Sequence, residues 1–169
     1  MELKRLSPAA IPAALAKAER YRLLNEPEQA ESICEDVLAI DAGNVEAMSM
    51  LILALTDQLA DGSPDRGQAL ARAQELAATV ASEYHRAYFR GLIAERRARA
   101  LIARGGAGSR AAAGEWVREA MERFAEAEPM RPPDDDSAIL RWNACARLLE
   151  RHPELAPVPE ERPEPLMSE

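Results

Sequence analysis

Groups able to do acid–base, nucleophilic or metal chemistry are few in this chain and stand apart from one another. The two histidines, His85 and His152, lie far apart in sequence and neither belongs to a ligand-spaced pair. No serine or cysteine is set beside a histidine in a way that would activate a nucleophile. Asp134, Asp135 and Asp136 could attract a cation, but the alternating spacing of a calcium loop is missing, and acids just before an apolar-periodic run suit a helix N-terminus. Gly105-Gly106-Ala107-Gly108 has the glycines of a phosphate cradle without the preceding strand, so it reads as a flexible connection between helices. Cys34 and Cys145 each fall on the apolar face of a predicted helix and suit buried free thiols in a reducing compartment. These residues predict no catalysis, no cofactor and no metal site.

Recognition chemistry is better represented. The formal net charge is −8, yet residues 83–110 carry +5, between −6 for residues 1–82 and −7 for residues 111–169. Arg90, Arg97 and Arg104 recur every seventh residue and therefore share a helical stripe, with Arg86 one turn before Arg90 and with Arg96 and Arg99 nearby. Such a stripe could receive an acidic ligand. The alternative is a solvated face neutralised by neighbours, Glu95 four residues before Arg99, or Glu119, Glu122 and Glu126. Met50, Leu53, Tyr88, Phe89 and Leu92 supply apolar and aromatic groups near Arg86, Arg90 and Glu95, the composition of a peptide-binding hot spot or, equally, of core packing. Trp116 and Trp142 are expected to pack the last helices together.

The elements that must position these groups are all helices. Only 4% of residues are aromatic, and the dense supply of Ala, Leu, Glu and Arg favours helix on intrinsic propensity. Apolar residues recur at three- and four-residue spacing between breakers, which predicts seven helices, over about 8–25, 27–41, 45–60, 65–81, 83–104, 110–128 and 137–152. Ser7 is the expected cap of the first helix and Asn44 that of the third, and the turn cluster Asp61-Gly62-Ser63-Pro64-Asp65 separates the third from the fourth. From Pro153 onward, proline alternates with glutamate, a composition that cannot bury enough apolar surface to fold alone. The expected division is a helical domain over 1–152 and an extended or disordered tail over 153–169. No stretch is long and apolar enough to span a bilayer and Met1 to Pro12 lacks a secretory core, so a cytoplasmic protein is expected.

Two segments repeat. Ala30, Cys34 and Val37 follow Pro27, and Ala120, Phe124 and Ala127 precede Pro132: a small residue, a bulkier one four later, and a third apolar residue three beyond. Ala69, Ala73 and Leu76 form a weaker third copy. The position 22 residues after Ala69 is Gly91, and that 22 after Ala30 is Ile52, a departure that should push those two helices apart slightly; Tyr21 follows the small Ala18 by three. This pattern resembles the tetratricopeptide repeat, TPR, over roughly residues 9–133. It departs from the family at Lys17 and Ala42, has a five-residue insertion around Gly62, and carries 17 extra residues between Gly91 and Ala120, which suggests a lengthened hairpin.

The resemblance implies an all-α, right-handed solenoid of three antiparallel helix pairs with a C-terminal capping helix, stacked because no single hairpin can bury its own apolar face. It also implies that the first helix of each pair lines a concave groove for a peptide or partner helix. The carboxylate clamp of the chaperone-binding members is not matched, since Leu15, Ala16, Glu19, Met50, Leu53, His85 and Phe89 occupy those places. The expected partner is a protein or peptide contacting Met50, Leu53, His85, Arg86, Tyr88, Phe89, Arg90, Leu92 and Arg97. The overall acidity speaks against nucleic acid, although binding of a polyanion through the fifth helix is the main rival reading; the other is self-association through the apolar patch into a homo-oligomer.

Overall fold

The computed structural model describes residues 2–59 and 66–156. Among them are seven α-helices and no strand: α1 (Ile11–Leu23), α2 (Pro27–Leu38), α3 (Val45–Asp57), α4 (Arg66–Thr79), α5 (Glu83–Arg104), α6 (Ala107–Ala127) and α7 (Ser137–Arg151). The all-helical architecture therefore agrees with the sequence pattern. The turn cluster at 61–65 and the tail from 157 onward lie outside the described residues.

Local chemistry explains several helix ends. Asn25 takes a positive φ of 59°, and Glu26 N–H donates to the Tyr21 carbonyl while Asn25 N–H donates to that of Arg22. That is the left-handed closure asparagine tolerates after a helix, and Pro27 then opens α2 in the first helical turn. Asn44 caps α3 by accepting from Ala47 N–H at 2.9 Å. Ser82 caps α5, accepting from His85 N–H at 3.3 Å.

Each helix packs on its neighbours in the chain, and in addition α1 touches α3, α3 touches α5 and α5 touches α7. Two cores result. The first gathers Ala18, Ala30, Cys34, Ile52, Leu55, Ala69, Ala73, Phe89 and Leu92. The second joins Ala94, Ala98, Val117, Ala120, Phe124, Cys145 and Leu148 from α5, α6 and α7. The small residues picked out by the repeat sit where helices approach closest: a Cβ on Gly91 would come within 2.7 Å of the Phe124 ring. Both cysteines are free and fully buried, and burial pushes each thiol up to about 12.

Four expectations need correction. The first turn is a 3-10 turn over Pro8–Ala10, and the Ser7 side chain makes no capping bond. α2 stops at Leu38, three residues before Asp41. The glycine run is not a long flexible connection: only Gly105 and Gly106 have positive φ, 74° and 89°, while Ala107 and Gly108 already belong to α6. Once those two residues have turned the chain, nothing in Ala107 or Gly108 forbids helix, so the α5–α6 hairpin of 22- and 21-residue helices has a two-residue junction. The packed unit also continues past 152. The 3-10 turn Pro153–Leu155 folds onto α6 with Leu155 1% exposed, and its carbonyl would lie 2.2 Å from a Cβ on Gly114.

Candidate recognition surface

One face is shared by α1, α3, α5 and α7. On α3, Met50, Leu53 and Asp57 follow at intervals of three and four, which keeps them on one stripe; on α5 the same logic aligns Tyr88, Glu95, Arg96 and Arg99. Arg22 of α1 and Arg141 of α7 flank them. Met50, Leu53 and Tyr88 are partly buried, each resting on the first core with part of the side chain outward.

The charged residues of this face form two linked groups. Asp57 accepts from Arg22 Nε at 2.7 Å and from Arg96, so one carboxylate of α3 holds guanidinium groups of both α1 and α5. Glu95, fully buried, accepts from Arg99 Nε at 2.8 Å and from Arg141 Nη1 at 3.3 Å, tying α5 to α7. A buried carboxylate left alone would be strongly disfavoured, and two guanidinium partners are what keeps Glu95 satisfied in the interior. The Met50 sulfur lies 3.9 Å from Arg22 Nη1. Desolvation lowers the pKa of both Arg22 and Arg96; Arg141 lowers Arg22 further, and Arg22, Arg141 and Arg99 help to bring Arg96 to about 10. Arg22 and Arg141 therefore feel each other although they stand on the first and last helices.

The residues expected to meet a partner separate into several environments. Phe89 and Leu92 are core residues, 1% and 0% exposed, because α5 has helices on both sides and its Phe89–Leu92 face points between them. Burial removes these two from a contact surface and corrects the expectation that placed them there. His85 is half-buried against Tyr84 and Phe89, its Nδ1 2.9 Å from Ser82 Oγ, and burial lowers its pKa. Arg86 donates to the carbonyls of Val80 and Ala81 at 2.7 and 2.9 Å, closing the end of α4. Arg97 stacks over Trp116 at 4.1 Å in a cation–π contact, and Arg90 is exposed on the α4–α5–α6 side. Trp142, expected to be packed, is 38% exposed.

The arginines of α5 thus divide between two faces: Arg97 and Arg104 line one pocket with α4 and Arg90 lies beside the Trp116 on which Arg97 stacks, while Arg96 and Arg99 turn to Asp57 and Glu95. Glu95 pairs with Arg99 as its spacing suggested, whereas Glu119 and Glu126 are held by Arg123 of their own helix, at 2.8 and 3.0 Å. Of the three acids before α7, Asp135 acts at the helix start: it accepts from Ser137 N–H at 2.9 Å and from Tyr84 OH at 2.8 Å, and these bonds hold its carboxyl below the usual range. Asp136 makes no capping bond and receives Arg131 Nε at 3.1 Å. Among the described residues no three acidic, histidine or cysteine side chains are placed to hold a metal, and no helix is long and apolar enough to cross a membrane.

No family model matches the chain, and neither the curated proteins nor the solved structures contain a significant match.

Proposed function

We propose that this protein is a non-catalytic interaction scaffold: a short right-handed α-solenoid of TPR type that binds a peptide or partner helix on the face shared by α1, α3, α5 and α7. One observation carries the reading. Four alternate helices, brought together from residues 11–151, touch in succession and present partly exposed Met50, Leu53 and Tyr88 among arginines on a single continuous face. Apolar and aromatic groups rimmed by guanidinium donors give a bound segment both desolvation energy and directed hydrogen bonds. In this reading the long α5–α6 hairpin is the third repeat and α7 the solvating cap, and the protein works in the cytoplasm.

The polyanion reading through α5 is weakened by the division of its arginines: Arg86 closes α4, Arg97 covers Trp116, and Arg96 and Arg99 are engaged with acids. The experiment is affinity capture from native lysate with immobilised wild type and with a Met50→Ala, Leu53→Ala variant, each checked for helical circular dichroism, with and without nuclease. A protein retained by wild type, lost with the variant and indifferent to nuclease is the expected result. Equal retention by both forms refutes the assigned face, nuclease-sensitive retention favours the polyanion reading, and a mass that grows with concentration in light scattering favours self-association.

A further inference from the structure

Four guanidinium groups on the face described above share two directly paired carboxylates. Arg22, Arg96, Arg99 and Arg141 come from three helices, and the acids they meet are Asp57 and Glu95. Glu19, three residues before Arg22, is a further acid acting on Arg22. None of the four guanidinium groups is sealed away, their side chains being 19–39% exposed, whereas Glu95 is 0% exposed and Asp57 18%. Glu95 therefore sits beneath Arg99 and Arg141, whereas Asp57 lies level with Arg22.

Each guanidinium has five N–H donors, and the ion pairs to Asp57 and Glu95 engage one nitrogen on each; Arg22 also meets the Met50 sulfur and Arg141 is also hydrogen-bonded to Tyr88, which leaves further donors on all four. Arg96 is desolvated and stands near Arg22, Arg141 and Arg99, an environment that an anion placed among them would favour. We infer that this arginine quartet is a carboxylate-binding site, and that the segment recognised on this face is an acidic peptide whose Asp or Glu side chains meet Arg22, Arg96 and Arg141 while its apolar residues rest on Met50, Leu53 and Tyr88. This inference rests on the scaffold reading proposed above.

Carboxylates fit for two reasons. The quartet already grips carboxylates of its own chain, so the donor geometry suits them. The surrounding molecule is strongly acidic, at −8, which repels a long polyanion over its whole length but leaves a short peptide to feel chiefly the local potential. Arg96 and Arg141 can also be changed without stranding an acid, since Asp57 keeps Arg22 and Glu95 keeps Arg99.

The test is fluorescence anisotropy of the full chain with three labelled probes: a short peptide of alternating glutamate and leucine, the same peptide with glutamine for glutamate, and an oligothymidylate of similar length. Saturable binding of the glutamate peptide is expected, weakened by salt, at least about tenfold tighter than the glutamine peptide, and about tenfold or more weaker with Arg96→Gln, Arg141→Gln, since charge-assisted hydrogen bonds are lost. Arg90→Gln, on another side of α5, should leave it unchanged. Binding unaffected by the double substitution, or equal for the two peptides, overturns the inference; in the second case the groove remains a peptide site without acidic preference. Tighter binding of the oligothymidylate overturns it in favour of nucleic acid. No saturable binding of either peptide to about 1 mM also overturns it, while the capture experiment still decides the scaffold reading.

Discussion

Replacing Gly91 by alanine should destabilise this protein, against the ordinary expectation for a helix interior. In an unobstructed helix the change gains about 1 kcal/mol through backbone entropy. Here the new Cβ would lie 2.7, 2.8 and 3.1 Å from Cε1, Cδ1 and Cζ of Phe124. Unstrained carbon contacts sit at about 3.5–4.0 Å, so the ring or the helix must retreat by most of an ångström. Phe124 is 0% exposed and its ring lies 5.8 Å from that of Tyr88, which leaves it no open side. Overpacking of this kind costs about 1–3 kcal/mol, and a clash with three atoms of an enclosed ring belongs toward the upper end. Subtracting the helical gain leaves a loss of about 1–2 kcal/mol, or a fall in Tm of about 2–8 °C for a chain of this size. Thermal unfolding followed by circular dichroism measures it. Gly67→Ala is the internal control, since nothing lies within 4 Å of its Cβ, and it should hold or raise Tm. Combining Gly91→Ala with Phe124→Leu should cost less than the two separately, because the smaller side chain yields the space. A Gly91→Ala protein as stable as wild type would refute the close approach of α5 and α6.

Gly114→Ala should act locally: its Cβ would meet the Leu155 carbonyl at 2.2 Å, so the Pro153–Leu155 turn must leave α6 and Arg118 loses its 3.2 Å bond to that carbonyl. Faster amide exchange and proteolysis near residues 153–156, with little change in the rest of the chain, is the expected outcome; unchanged protection there would contradict the contact. For the two cysteines, a folded pKa of about 12 against an ordinary 9 means that the unfolded chain releases these protons first as pH rises. Their contribution to stability is complete below about pH 9 and is lost as pH climbs toward 12, so Cys34→Ala should flatten the alkaline limb of urea stability curves. Native protein should also react slowly with iodoacetamide at pH 8 and rapidly once unfolded.

Helix placement was legible in the sequence because apolar periodicity and breakers agree: Asn44 and Pro27 mark helix starts that the structure retains. The misreadings have local physical causes. Gly108 resembles a breaker, yet a glycine outside the positive-φ region can stand in the first turn of a helix. Phe89 and Leu92 resembled a hot spot because a helix flanked on both sides shows no polar face there to mark it as interior. The arginine quartet was missed in a different way. No single segment contains it, but the repeat register holds the clue. Arg22 lies four residues after Ala18, Asp57 five after Ile52, and Glu95 and Arg96 four and five after Gly91, so charged residues recur one turn beyond each small or packed first-helix position. Aligning the helices by register, in place of scanning each for charge runs, would have brought them together. Arg141 on α7 has no counterpart in that register and needed the fold.

The two-residue Gly105–Gly106 junction bears on how the chain acquires its structure. α5 and α6 are its longest helices, and they meet through a connection that adds almost nothing to the entropy of bringing their ends together. Contacts next to the junction are also local in sequence, the circumstance that speeds folding. This hairpin is therefore expected to zip from the junction toward Gly91 and Phe124 without requiring the N-terminal helices. A ribosome releasing the chain emits α1 to α4 first, without the α5 surface on which α3 and α4 come to rest. Those four helices wait with Leu55, Ala69 and Ala73 incompletely covered, and the interval before residue 127 emerges is when nascent chains of this protein are most open to chaperones and to one another.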